Sequence, residues 1–169
     1  QSEQGHYNAA VNLYNAGQWQ AAVAKIDERL KANADDAWRS KYTLARGLAF
    51  EKGGRSSEAR AAYRDLLKQW PQAAEAAPAR LALLYLDYAA GDGASVRSLL
   101  KEMNVNALGA DDRRNVHLMG AETAYVQGDT NAAWAGFQAA LVAGADRVSL
   151  APKLFDLAVR LQKPADILT

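Results

Sequence analysis

The chain has 169 residues, half of them apolar and 23% charged, with 20 basic and 19 acidic side chains and a formal net charge of +1. This is the balance of an ordered polypeptide long enough for a sizeable core, and it excludes the one-signed field expected of a nucleic-acid or membrane-surface binder. Cysteine is absent, which removes disulfides, cysteine-zinc sites and thiol nucleophiles.

Glycines at 17, 54, 91 and 128 are spaced 37 residues apart, and the stretches around them align. A fixed period of this length is the mark of a helical repeat array. The first repeat, about 3–36, runs through Gly17 into "QWQAAVAKI", with Ala22, Ile26 and Leu30 at five, nine and thirteen residues past the glycine. The second, about 37–73, carries Leu44, Leu48 and Phe50 ahead of Gly54, then Ala59, Tyr63 and Leu67 in the same three slots. Pro71 and Pro78 punctuate the link to the third repeat, about 74–110. That repeat has Leu81, Leu84, Tyr85 and Tyr88 before Gly91, then Val96, Leu100 and Asn104, and it is the most worn of the four. The fourth, about 111–147, follows Gly128 with Ala133, Phe137 and Leu141. A partial fifth, 148–169, takes its turn signal from Pro164.

Apolar residues at helical spacing on both sides of each glycine predict two helices per repeat. The glycine ends the first helix in the left-handed conformation, and Asp92 and Asp129 stand where they cap the second. The expected fold is therefore all-α, a single domain over 1–169 of four antiparallel helix pairs followed by a further helix and part of its partner, a partial fifth repeat. Alanine five residues after the glycine lets paired helices approach, and the large residue four positions later fills the next turn.

Candidate chemistry is sparse. His6 and His117 are three periods apart, roughly 30 Å in a stack that advances one helix spacing per repeat, so they share no metal. "GDG" at 91–93 lacks the strand and spacing of a phosphate loop and falls in the turn slot. Asp35–Asp36 and Asp111–Asp112 lie just before first helices, where caps and dipole partners explain them. No catalytic residue, metal ligand or cofactor site is assigned, and the chain is expected not to be an enzyme.

The period and slots resemble the tetratricopeptide repeat. Gly47, Phe50, Ala59, Tyr63 and Pro71 match its motif best; Ala133, Phe137, Ala140 and Leu141 match in the fourth repeat, and Gly17, Trp19 and Ala22 in the first. The usual period is about 34 residues, and the leading tryptophan–leucine pair is replaced by Thr43 and Arg46 in the second repeat. The resemblance implies a right-handed superhelical solenoid whose first helices line a concave groove. Three residues before each glycine stand Tyr14, Glu51, Tyr88 and Tyr125, and neighbouring groove slots hold Tyr7, Asn8, Asn15, Lys41, Lys52, Tyr85, Asn115 and Glu122. Tyrosines among amides and charges suit a protein or peptide partner. The family's lysine–asparagine carboxylate clamp is missing, because its slots hold Tyr7 and Val11.

The implied function is a protein–protein interaction scaffold, with a spacer in a longer array or a polysaccharide-contacting surface as rivals. An alanine-rich, cysteine-free chain that starts at Gln1 without a methionine suits a processed bacterial envelope protein, periplasmic rather than cytoplasmic. The family serves there in outer-membrane assembly and in exopolysaccharide synthesis and export. No nucleic-acid partner is expected. Nor is membrane insertion, because the longest notable apolar run, "LALLYL" at 81–86, is too short to span a bilayer. Without a visible polar capping helix, the natural protein is expected to continue past Thr169, or its last apolar face to be covered by another chain.

Overall fold

The computed structural model describes residues 2–32 and 35–162. Among them the chain forms nine α-helices, one short 3-10 turn and no strand. The helices are α1 (Glu3–Asn15), α2 (Trp19–Lys31), α3 (Asp36–Lys52), α4 (Ser56–Gln69), α5 (Ala76–Ala89), α6 (Gly93–Glu102), α7 (Ala110–Val126), α8 (Thr130–Val142) and α9 (Arg147–Arg160); the 3-10 turn is Val105–Ala107. The turn expected at Pro164 lies outside the described residues. Contacts divide the chain into two compact units, Gln1–Asp87 and Tyr88–Thr169, with the boundary inside α5.

The four period glycines all adopt positive φ, between 71° and 77°, and each sits in the turn between two consecutive helices. After α1, the amide of Gln18 donates to the carbonyl of Leu13 and that of Gly17 to Tyr14, so two orphan carbonyls of the last turn are satisfied. Arg55 with Phe50 and Asp129 with Ala124 repeat the longer bond. A side chain at such a φ is strained even where space is open, as it is around Gly54. Gly54→Ala is therefore expected to cost about 1–2 kcal/mol and Gly54→Asn less, since asparagine tolerates the left-handed region better. Thermal melts of the two variants check this; equal losses would count against the turn as the cause.

Caps follow the sequence closely. Asp92 accepts from the Ser95 amide at 3.1 Å and Asp129 from Ala132 at 3.0 Å, so "GDG" is a turn and a helix cap. Asp35 caps α3 through the Trp38 amide at 3.0 Å. Asp111 and Asp112 were expected before α7; they stand inside its first turn, after an N-cap at Gly109, where their charge meets the helix dipole.

Packing makes the alternation of small and large residues explicit. In unit 1, Ala59 and Tyr63 are fully buried, and a Cβ added to Gly47 would fall 2.3 Å from the Tyr63 ring. In unit 2, Ala133, Phe137, Ala140 and Leu157 are fully buried, with Leu150 and Leu154 buried beside them. There a Cβ on Gly136 would come within 2.8 Å of the Ala121 Cβ, so the tightest approach of α7 and α8 lies one turn beyond Ala133. The worn third repeat shows its wear. Helix α6 has 10 residues where α2, α4 and α8 have 13 or 14. Asn104 replaces the leucine that would hold a fourth turn on the core, and the chain breaks into the 3-10 turn instead.

Candidate functional site

In unit 1, one face of α1 presents Tyr7, Val11, Tyr14 and Asn15 at successive helical turns. These line a cleft of about 200 Å³ with Ala10, Ile26 of α2, and Ala45 and Leu48 of α3. Tyr7 and Tyr14 are half-buried, Asn15 is exposed, and Leu48 keeps 38% of its surface open. Three of the sequence-derived groove residues, Tyr7, Tyr14 and Asn15, thus share one wall. Val11 and Leu48 were not placed there from the sequence, yet they are 37 residues apart and occupy the slot that holds Tyr85 and Glu122 in later repeats.

The floor beside the cleft is an aromatic cluster. The Tyr7 ring meets Tyr42 edge-on at 5.7 Å and Trp38 at 5.9 Å, and Lys41 Nζ lies 4.6 Å over the Trp38 ring. The fully buried Tyr42 donates its hydroxyl to the Glu3 carboxylate at 3.0 Å. Burial, with that carboxylate, pushes the Tyr42 hydroxyl up to about 12. Arg29, hydrogen-bonded to the same carboxylate, holds Glu3 below the usual range. Burial, then the charge of Glu75, raises Tyr7.

The remaining groove candidates are spread out. Glu51 accepts the Tyr63 hydroxyl and so points its charge at α4. Lys41, ten residues earlier on α3 and so about 15 Å away along the helix, stacks on Trp38 and does not reach Glu51. Lys41 also borders a recess of about 570 Å³ between the start of α3 and the 69–75 link. Asn8 and Lys52 are exposed and Tyr85 is half-buried.

In unit 2, Tyr88 is 40% exposed and shares a recess of about 180 Å³ with Glu122, Thr123, Val126 and Gln127. Glu122 is ion-paired to Lys153 of α9. Tyr125, a groove residue by its sequence slot, does not offer its hydroxyl to solvent. It donates it to Asp156 at 2.8 Å, with its ring edge-on to Phe137 at 6.4 Å and Arg160 over it. The bond to Asp156, then burial, raises the Tyr125 hydroxyl above its ordinary value. Tyr125 thus ties α9 to α7. Asn115 is half-buried outside this recess. Val126, missed from the sequence, is 82% exposed on its rim.

No helix among the described residues is long and apolar enough to cross a membrane. Compared with family models and with curated proteins, the chain matches none.

Proposed function

We propose that the chain is a non-catalytic interaction scaffold of the tetratricopeptide kind, a solenoid of helix pairs, and that the α1–α3 cleft takes an apolar side chain of a partner polypeptide. The observation that carries the reading is the composition of that cleft: Tyr7, Val11, Tyr14 and Leu48 around a small hollow with Asn15 at its edge. Aromatic and aliphatic walls with a polar rim are the anatomy of an interface anchor site. The glycine turns at a constant period and the packing of Gly47 on Tyr63 support the repeat reading. A polypeptide is favoured over a polysaccharide because Tyr7, Trp38 and Tyr42 are engaged with one another and Trp38 with Lys41. The cysteine-free, alanine-rich chain fits a bacterial periplasmic setting, in an envelope-assembly or exopolysaccharide-export system.

A photo-crosslinking residue placed at Leu48, at Tyr14 and at the exposed Gln20 of α2 tests the cleft. Adducts with one partner polypeptide from Leu48 and Tyr14, and none from Gln20, are the expected result. Equal capture from all three positions, or from Gln20 alone, removes the cleft as the binding site and leaves the spacer reading.

A further inference from the structure

Among the described residues of unit 1, one carboxylate is buried. Asp87 is fully inaccessible, and Arg60 and Arg64 of α4 reach it, Arg64 Nη2 lying 3.1 Å from both oxygens. Arg60 and Arg64 stand six and ten residues after Gly54, and Asp87 stands four before Gly91. One period later the two cationic slots hold Arg97 and Lys101, and the carboxylate slot holds Ala124. One period earlier than Asp87 the slot holds Phe50, whose buried ring fills the space itself.

The structure of unit 2 shows what this exchange leaves. Arg97, Lys101 and Ala124 line one cavity of about 730 Å³, walled by α6, α7 and α8, with Ser98 and His117 among its polar groups. The recess is open to solvent: the face of α6 that borders it carries Ala94, Arg97, Ser98 and Lys101, all exposed, while Val96 and Leu99 are buried on another face. Among the described residues no carboxylate pairs with Arg97 or Lys101. The one carboxylate on the wall, Asp129, is engaged as the cap of α8. The cavity keeps the two cations that hold a carboxylate in unit 1 and lacks the carboxylate.

We propose that this cavity binds the carboxylate of an aspartate or glutamate side chain from a partner polypeptide, seated between Arg97 and Lys101 where unit 1 seats Asp87. A carboxylate on one or two methylenes fills only part of about 730 Å³; the remaining alanine-lined space admits the main chain that carries it. Cationic donors on an ionised acceptor give the directional, charge-assisted bonds such a seat needs. The proposal uses none of the residues of the α1–α3 cleft, so either can fail while the other stands.

The probe is N-acetyl-glutamate N-methylamide, titrated into the intact chain while backbone amide resonances are followed. Shifts confined to the Ala94–Lys101 face, Gly120, Ala124 and Gly136 are expected, at least several-fold weaker with the glutamine counterpart and lost in Arg97→Ala/Lys101→Ala. Ala124→Asp supplies the missing group from within: it is expected to abolish the shifts and to melt close to the parent. In the Arg97→Ala/Lys101→Ala background the same aspartate is buried without a partner and the melting temperature falls by roughly 5 °C or more. Equal response to the glutamine compound, no response to either, or an Ala124→Asp equally damaging with and without the cations overturns the proposal. Propionate giving the full pattern at equal strength assigns the site to a free organic acid and overturns the polypeptide assignment.

Discussion

Replacing Arg60 and Arg64 together by alanine is expected to cost about 3–5 kcal/mol of unfolding free energy. Both guanidinium groups meet the carboxylate of Asp87, which has no exposed surface. Removing them leaves an anion in a low-dielectric site with its main partners gone. The opposite deletion, Asp87→Ala, costs less, about 2–3 kcal/mol, because the cations it orphans can rehydrate. Arg64 is already 48% exposed and Arg60 23%. Each arginine singly is expected to fall below the double variant, since the other still holds the carboxylate. Urea unfolding of the set measures the order. A double arginine variant no worse than Asp87→Ala would show that the carboxylate finds water or protonates at little cost.

Tyr63→Ala is expected to lose about 3–5 kcal/mol, the scale of an emptied aromatic site. The ring is fully buried beside Ala59 and Leu66, its hydroxyl is bound to Glu51, and Gly47 backs directly onto its edge. Burial, with Glu51 as acceptor, raises the hydroxyl well above its ordinary value. Tyr63→Phe keeps the packing and is expected to lose only about 1 kcal/mol for the hydrogen bond. Gly47→Ala drives a methyl into the ring and costs about 1–3 kcal/mol. The informative variant combines Gly47→Ala with Tyr63→Ala, where the new methyl enters the vacated space. The pair should then be less damaging than the sum of the singles by roughly 1 kcal/mol or more. Strict additivity in chemical denaturation would mean that Gly47 and Tyr63 do not press on each other.

The helical plan was legible because it rests on short-range physics. A left-handed turn selects glycine, an N-cap selects aspartate, and a buried face repeats every three or four residues, so Gly54, Asp129 and Phe137 announce their roles locally. What stayed hidden is pairing across helices. Glu51 looks like a groove charge until Tyr63 is seen to claim it. Tyr125 likewise looks like a free hydroxyl until Asp156, 31 residues later, is found beneath it. Asp87, the one fully buried carboxylate among the described residues, gives no local sign of Arg60 and Arg64. The cleft residues Val11 and Leu48 were within reach, since the same 37-residue step that located Tyr85 and Glu122 passes through both. The division into two units left no mark on the glycine period, which runs unbroken across Asp87 and Tyr88.

The most direct test of the scaffold reading is a pair of numbers, melting temperature and affinity for the crosslinked partner, taken on Leu48→Lys and Tyr14→Ala. Both side chains are already partly open to water in the free protein, so melting should move by no more than about 3 °C. Each should weaken binding by about 1–2 kcal/mol, the scale of interface anchors, with the lysine the more harmful because it places a charge in an apolar hollow. Collapsed melting temperatures with unchanged affinity per folded molecule would make Tyr14 and Leu48 core residues and contradict the assignment of the α1–α3 cleft as a binding site.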